Sequence, residues 1–360
     1  MSDQFTSGVL LNDEGAWHGK GIVKPGTLPP DEAFRLAGAL YEVRKGSLFM
    51  GDPAEADDMV PVTDRVALYR PDSGTILGVV SPRYPIYPTS LLLKLAEGIK
   101  NEADMNAVVV LAGGKRLAFT SKIHGAEIPI LPGDPIAPYL VGWLGFDGTT
   151  SLGGAYSTTR IVCWNTMQLA MGQAENGRPD ASFRFPHAHG FETDDEAIVY
   201  IEQQMDALLA GIDIQRRTFP EVASGYQQMT RMTMNSAEFT QFIREVYGVP
   251  ETVVIDGETR PVTLEMAMPR KWVALQAAFH GGIGMDINGV AGTLWAGFNA
   301  ITQVETSMSP RTGRSAVARR LHSTLFGAAN NILRIANRLA CARLGIADLN
   351  QAQTQLVEVA

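Results

Sequence analysis

Cysteine is scarce: the 360 residues contain two, Cys163 and Cys341. That excludes a disulfide framework and a zinc site built mainly from thiolates, and it fits a reducing compartment. Long apolar runs are missing too. None approaches the roughly 18 residues of a membrane-crossing helix, so no membrane contact is expected. The first residues, MSDQFTSGVLLNDEGAWHG, lack a basic stretch followed by an apolar one, so no secretory signal is expected and the cytoplasm is the expected location. The spacing Gly-x-x-x-x-Gly-Lys-Ser/Thr is absent as well. Gly113-Gly114-Lys115-Arg116 is therefore not a nucleotide-hydrolase phosphate loop. The glycine-rich HGGIGMDINGVAG does not fit a dinucleotide fingerprint, and helix breaks or close packing account for it. No cofactor and no metal are expected.

The most informative absence is local. Between residues 307 and 347 there is no Asp or Glu, yet there are seven arginines: Arg311, Arg314, Arg319, Arg320, Arg334, Arg338 and Arg343. The whole chain carries a net charge of −8; without those seven, 23 basic residues face 38 acidic ones, leaving −15. Such polarity points to an interaction surface at one end. Val317, Leu321, Leu325, Ala328, Ile332, Ile335 and Leu339 recur at steps of four and three. They form one apolar helical stripe, and Arg319, Arg320, Arg334 and Arg338 fall on the opposite face or its margins.

What is present reads as an α+β chain in three parts: an irregular segment over residues 1–60, an α+β core over 61–218, and a mainly helical region over 219–360 ending in the basic amphipathic tail. The first part holds a short helix near residues 30–41. Strand-like pieces follow at 65–69 and 76–80 around the turn signal PDSG, then a helix at 90–101. AVVVLAGGKRLAFTSKI is a hairpin around Gly113-Gly114, and YLVGWLGF with TSLGGAYSTTRIVCW is a second around Asp147-Gly148. The Pro-rich IPILPGDPIAP between them reads as a loop, and a helix is expected from Asn165. The core is thus an antiparallel sheet of two consecutive hairpins followed by helix. Further on, NSAEFTQFIREVYG opens on a capping signal, Asn235 with Glu238, and ends on Gly248. VVIDGETRPV is a small hairpin turning at Asp256-Gly257.

Few constellations carry chemistry. Cys163 as a nucleophile would need a base or positive charge nearby. Strand alternation puts Arg160 on the opposite face from it, and no His lies within 20 residues. A small buried residue at a strand end is the simpler reading, with Asn165 and Thr166 capping the next helix. His187 and His189 stand two apart in a polar loop, but no third ligand recurs at a diagnostic spacing. Trp17-His18-Gly19 reads as a docked aromatic anchor or as part of a site.

Several of these islands carry a resemblance. Asp147, Gly148, Thr149, Thr150 and Ser151, then Arg160, Ile161, Val162, Cys163, Asn165 and Thr166, match one block of a known pattern. Trp17-His18-Gly19 and the set Thr293, Trp295, Asn299, Ala300 and Thr302 match two others. Together they resemble the phage/plasmid-like protein family, a domain of unknown function found in phages, prophages and conjugative plasmids. Two positions depart from its pattern: Phe146 stands where histidine is usual, and Gln303 where an acid normally follows. The resemblance implies a mobile-element context and no established activity.

Nucleic-acid binding needs arginine and lysine for phosphates, with aromatic platforms for unpaired bases. Lys115 and Arg116 at the first hairpin, Arg160 on the joining strand, and Arg311, Arg314, Arg319, Arg320, Arg334 and Arg338 on the tail are the candidate contacts. Trp143, Tyr156 and Trp164 interleave with that sheet. A hairpin sheet with a following helix is similar, at the level of topology alone, to the ring-forming single-strand annealing proteins of phages. The reading is a cytoplasmic, non-catalytic homo-oligomer that binds single-stranded DNA and promotes annealing. The rival is an assembly or host-interaction protein that does not touch nucleic acid. A hydrolase or nuclease is disfavoured, since no acidic metal cluster or nucleophile–base pair stands out.

Overall fold

The computed structural model describes residues 5–11, 21–51, 59–157, 182–185, 194–307 and 328–346. The chain is α+β, with mostly antiparallel sheets and a helical C-terminal region. It forms two compact units: residues 1–124 with 138–213, and residues 125–137 with 214–360.

The first unit is organised by a seven-stranded sheet. Its strands are β1 (Phe5–Leu11), β2 (Ile22–Lys24), β6 (Ala103–Leu111), β7 (Arg116–Ile123), β10 (Tyr139–Gly145), β11 (Leu152–Ser157) and β12 (Ser182–Phe185), in the order β12-β11-β10-β7-β6-β1-β2. Every neighbouring pair is antiparallel except β1–β2. The run AVVVL in β6 is buried on both faces, which is why it reads as continuous apolar sequence and not as an alternation. Helix α1 (Pro30–Leu36) lays Phe34 on one face of the sheet, its ring 6.2 Å from that of Phe119. Ser7 Oγ donates to the carbonyl of Ala37 at 2.7 Å and ties the same region to β1. Helix α2 (Thr89–Gly98) buries Leu91, Leu92 and Leu95. A second sheet, β3-β4-β5, is made by Arg44–Met50, Val60–Tyr69 and Ile76–Val80.

Residues 1–60 differ from the irregular segment expected. They supply β1, an inner strand of the large sheet, in which Val9 and Leu10 are fully buried. The strand was hidden because its apolar residues, GVLL, are consecutive and carry no period-two signal. The helix near residues 30–41 stops at Leu36.

The second unit begins with an excursion from the first. The chain leaves at His124 and returns at Pro138, and the amide of Ile123 donates to the carbonyl of Pro138 at 3.0 Å. The Pro-rich piece between, expected to be a loop, is a hairpin of β8 (Ile128–Leu131) and β9 (Asp134–Ile136). Trp295 Nε1 donates to Asp134 Oδ2 at 2.9 Å, a contact across 161 residues that no local pattern reveals. The helices are α3 (Asp194–Arg231), which runs from the first unit into the second and contains Pro220, then α4 (Ser236–Tyr247), α5 (Leu264–Ala267), α6 (Pro269–Gly281), α7 (Leu294–Ser307) and α8 (Ala328–Leu344). Their core gathers Phe239, Phe242, Trp272, Phe279, Leu294 and Ile301. The rings of Phe239 and Phe279 stack at 4.1 Å. Helix α4 has the expected capping box: Asn235 Oδ1 accepts from the amides of Ala237 and Glu238, while Glu238 Oε2 accepts from the amide of Asn235. Gly248 ends it in the left-handed conformation. The expected small hairpin forms from β13 (Thr252–Ile255) and β14 (Glu258–Pro261).

Candidate functional site

The described residues place one polar cluster at the ends of the two long hairpins. Arg116 opens β7, and Asp147 stands in the turn that joins β10 to β11. The register pairs Arg116 with Gly145, so the two side chains meet at the same end of adjacent strands. Arg116 donates through Nε to Asp147 Oδ2 at 2.6 Å and to Thr150 Oγ1 at 3.0 Å, and its Nη2 is also 2.6 Å from Asp147 Oδ2. Asp147 Oδ1 accepts the amides of Thr149 and Thr150 at 2.9 and 2.7 Å. The side chains are 14% and 10% exposed. Burial acts to raise the Asp147 carboxyl, but the Arg116 charge and the two amides outweigh it and hold the group below its ordinary value.

A second cation sits beside the β6–β7 turn. The Arg70 guanidinium lies 3.9 Å from the centroid of the Tyr41 ring and reaches Asp72 through Nε and Nη2 at 3.0 and 2.6 Å. The Tyr41 hydroxyl donates to the carbonyl of Gly114. Burial pushes that hydroxyl well above its ordinary value, with the Arg70 charge opposing. Gly114 has φ +97°, a backbone conformation that strains any residue with a Cβ. Neither Tyr41 nor Arg70 was singled out from sequence. The only local hint was Arg70 standing just before the PDSG turn. The same part of the first unit has a recess of about 660 Å³ lined by Tyr41, Glu42, Tyr87 and the start of α2. Glu42 is held ionised by Arg44, which makes the recess a poor match for phosphate.

In the second unit, the Tyr247 hydroxyl and Lys271 Nζ converge on Glu305 Oε1, at 2.5 and 2.8 Å. Burial and the Glu305 charge push the Tyr247 hydroxyl far upward, so it remains a donor and not a nucleophile. The cluster links three helices, α4, α6 and α7.

Of the expected site residues, Lys115 and Arg116 belong to the first unit and Arg334 and Arg338 to the second. Lys115 is half-buried and accepts the Phe146 amide on its carbonyl at 2.8 Å. Arg116 is committed to Asp147. Arg334 and Arg338 both belong to α8, where Arg338 is exposed and Ala336, Ala340 and Cys341 are buried. Arg343, from the same acid-free block, donates to Glu245 Oε2 at 2.8 Å and lies 5.0 Å from the Phe242 ring centroid. Arg160, Arg311, Arg314, Arg319 and Arg320 lie outside the described residues, as do Cys163, the helix expected from Asn165, His187, His189 and Trp17-His18-Gly19. Among the described residues no three His, Cys, Asp or Glu side chains gather as a metal-holding group, and no helix is long and apolar enough to cross a membrane.

The resembling motif near the C-terminal end has structural roles. Thr293 Oγ1 accepts the Ala296 amide at 3.2 Å at the start of α7. Trp295 is 5% exposed. Gln303 Oε1, where the family pattern has an acid, accepts the Ile283 amide at 3.0 Å beyond the end of α6. No curated protein and no solved structure matches the chain. A family model does match, over residues 76–325, which takes in the hairpin cluster, the Tyr247–Glu305–Lys271 contacts and the Thr293–Thr302 motif. The chain belongs to the family of that model, the domain of unknown function DUF932.

Proposed function

We propose that the protein is a non-catalytic, oligomeric single-stranded DNA-binding protein of a phage or other mobile element, acting in the host cytoplasm and promoting annealing. One observation carries the reading. The segment from 307 to 347 holds seven arginines and no acid, and its helix α8 turns Arg338 to solvent while burying the opposite side. Phosphate contacts need cations free of local carboxylates, and such a block supplies them. Arg311, Arg314, Arg319, Arg320, Arg334 and Arg338 are the proposed contacts on this segment, with Lys115 and Arg160 on the sheet side. Arg116 takes a different part from the one its sequence suggested. Held by Asp147, it orders the hairpin ends, and it is left out of the proposed phosphate contacts. Mixing the pure protein with labelled single-stranded oligonucleotides at two salt concentrations tests the reading. Binding that weakens as salt rises is the expected result, and no binding at low salt would overturn it.

The second reading is assembly without nucleic acid, and the contact between Arg343 and Glu245 favours it. An arginine of the basic block there satisfies itself on a carboxylate of the body. In this account the remaining arginines pair with acids of neighbouring copies.

A further inference from the structure

The hairpin β13–β14 is a two-stranded ribbon with every residue of both strands exposed. Val253 is 39%, Val254 68% and Ile255 44% exposed. A two-stranded hairpin of this kind is marginal alone in water and gains independent stability from a third strand or a covering element. Its base is fixed: Arg244 on α4 donates to the carbonyls of Pro250 and Val262 at 3.0 and 2.6 Å. The base of the ribbon is thereby tied to α4.

Its two outer edges are unequal. Asp256 and Gly257, with φ 52° and 82°, make the two-residue turn in which the flanking residues, Ile255 and Glu258, exchange hydrogen bonds. The amide of Val262 donates to the carbonyl of Glu251 at 2.8 Å, which fixes the same parity at the other end. Residues 251, 253 and 255 thus bond inward to β14, and the main-chain groups of Thr252 and Val254 point outward. On β14 the outward positions are Thr259 and Pro261, and Pro261 has no N–H to give. Natural sheets blunt edges meant to stay alone with proline and charge. β14 is blunted in this way, and β13, with Thr-Val-Val-Ile, is not.

We propose that the outer edge of β13 pairs antiparallel with β13 of a second copy, joining the two hairpins into one four-stranded sheet across a two-fold axis. The strand is self-complementary when the axis passes at Val253. Val253 then faces Val253 of the other copy, Thr252 faces Val254, and Glu251 faces Ile255, so no carboxylate opposes another. Two outward N–H and C=O pairs from each copy are satisfied, and both apolar faces are extended. The like-edge geometry closes with two subunits and leaves both blunted β14 edges outside. This rests on the oligomeric part of the function proposed above and not on nucleic-acid binding. The pairing joins strands of only four residues, so weak association, in the micromolar range, is expected.

Sedimentation across the micromolar range, read against the 38.9 kDa chain mass, tests it. Val254→Pro removes an outward N–H without touching the bonds to β14, and should raise the dissociation constant about tenfold or more. Thr259→Pro makes the same change on the blunted edge and should leave association unaltered. Val253→Cys should form a disulfide between copies under mild oxidation, since non-bonded cross-strand pairs bring Cβ atoms close, while Thr259→Cys and the unaltered chain should not. A wild-type protein that stays monomeric, with no crosslink at Val253→Cys, overturns this interface and the oligomeric reading together. An oligomer whose mass ignores Val254→Pro and whose Val253→Cys form does not crosslink overturns the interface alone.

Discussion

Arg116 and Asp147 lie 31 residues apart in sequence and meet at 2.6 Å, joining the start of β7 to the β10–β11 turn. The carboxylate has both oxygens occupied, one by the guanidinium and one by two amides, so it orders its own turn and the neighbouring strand at once. Asp147→Asn keeps an oxygen for the amides of Thr149 and Thr150 but removes the negative charge that faces the guanidinium in a largely buried place. A loss of about 3 kcal/mol of stability is expected, read as a lower urea midpoint. A variant with an unchanged midpoint would show that the pair contributes nothing net.

The same pair sets a pH dependence. The folded Asp147 carboxyl titrates below its ordinary value of 3.8. Its contribution is therefore fully present above the unfolded value and is lost as pH falls through the folded one. In the interval between, the unfolded chain binds more protons, and stability rises with pH. The stability gap between wild type and Asp147→Asn should narrow as pH drops below about 4. A gap that is constant from neutral pH to pH 3, a span that crosses about the ordinary carboxyl range, would place the effect elsewhere.

What the sequence revealed of this follows from how local each signal is. Gly113-Gly114 and Asp256-Gly257 mark turns because few residues take positive φ, and Asn235 with Glu238 marks a helix start because the capping bonds span three residues. β1 escaped notice because a strand buried on both faces has no alternation. The strand pair in residues 125–137 escaped because proline masks strand propensity at the edges where it is allowed. Asp147 was visible as a turn residue but not as a partner of Arg116, since pairing depends on strand register. The Tyr247–Glu305 contact, across 58 residues, depends on helix packing and has no local signature.

Register also explains Gly142. It sits opposite Phe119 on the neighbouring strand, and a Cβ there would fall inside contact distance of the Phe119 ring. The ring is fully buried and has the Phe34 ring 6.2 Å away, so it has little room to turn. Gly142→Ala should destabilise the first unit by about 2 kcal/mol through overpacking, despite the better strand propensity of alanine. Thermal unfolding followed by tryptophan fluorescence checks this; a neutral or raised midpoint would mean the ring relocates freely.

In the second unit the capping box gives an independent measure. Asn235→Ala removes the side-chain acceptor for the amides of Ala237 and Glu238, while the main-chain N–H of residue 235 that Glu238 Oε2 accepts stays in place. About 1 kcal/mol of stability should be lost, while Asn235→Ser or Asn235→Asp should restore most of it. Denaturant curves of the three variants are the measurement. Equal loss in all three would show that the contact seen at Asn235 does not act through its side-chain oxygen.

The tail arginines separate the two functional readings. If single-stranded DNA binds there, each arginine–phosphate contact releases condensed counterion, and affinity falls by about 0.7 log units per contact for each tenfold rise in salt. Replacing Arg319 and Arg320 with Ala should weaken binding and flatten the salt slope by roughly one unit or slightly more. The apolar periodicity of residues 317–339 sets both arginines apart from the apolar stripe, so circular dichroism should be unchanged. If these arginines instead pair with acids of a neighbouring copy, as Arg343 pairs with Glu245 within one chain, the double variant should dissociate. Any DNA affinity per subunit would then stay similar. Titration of labelled oligonucleotides and sedimentation on the same samples distinguish the outcomes. Unchanged assembly, with no DNA binding by the wild type, would leave the arginine block as a solvated surface and remove both readings.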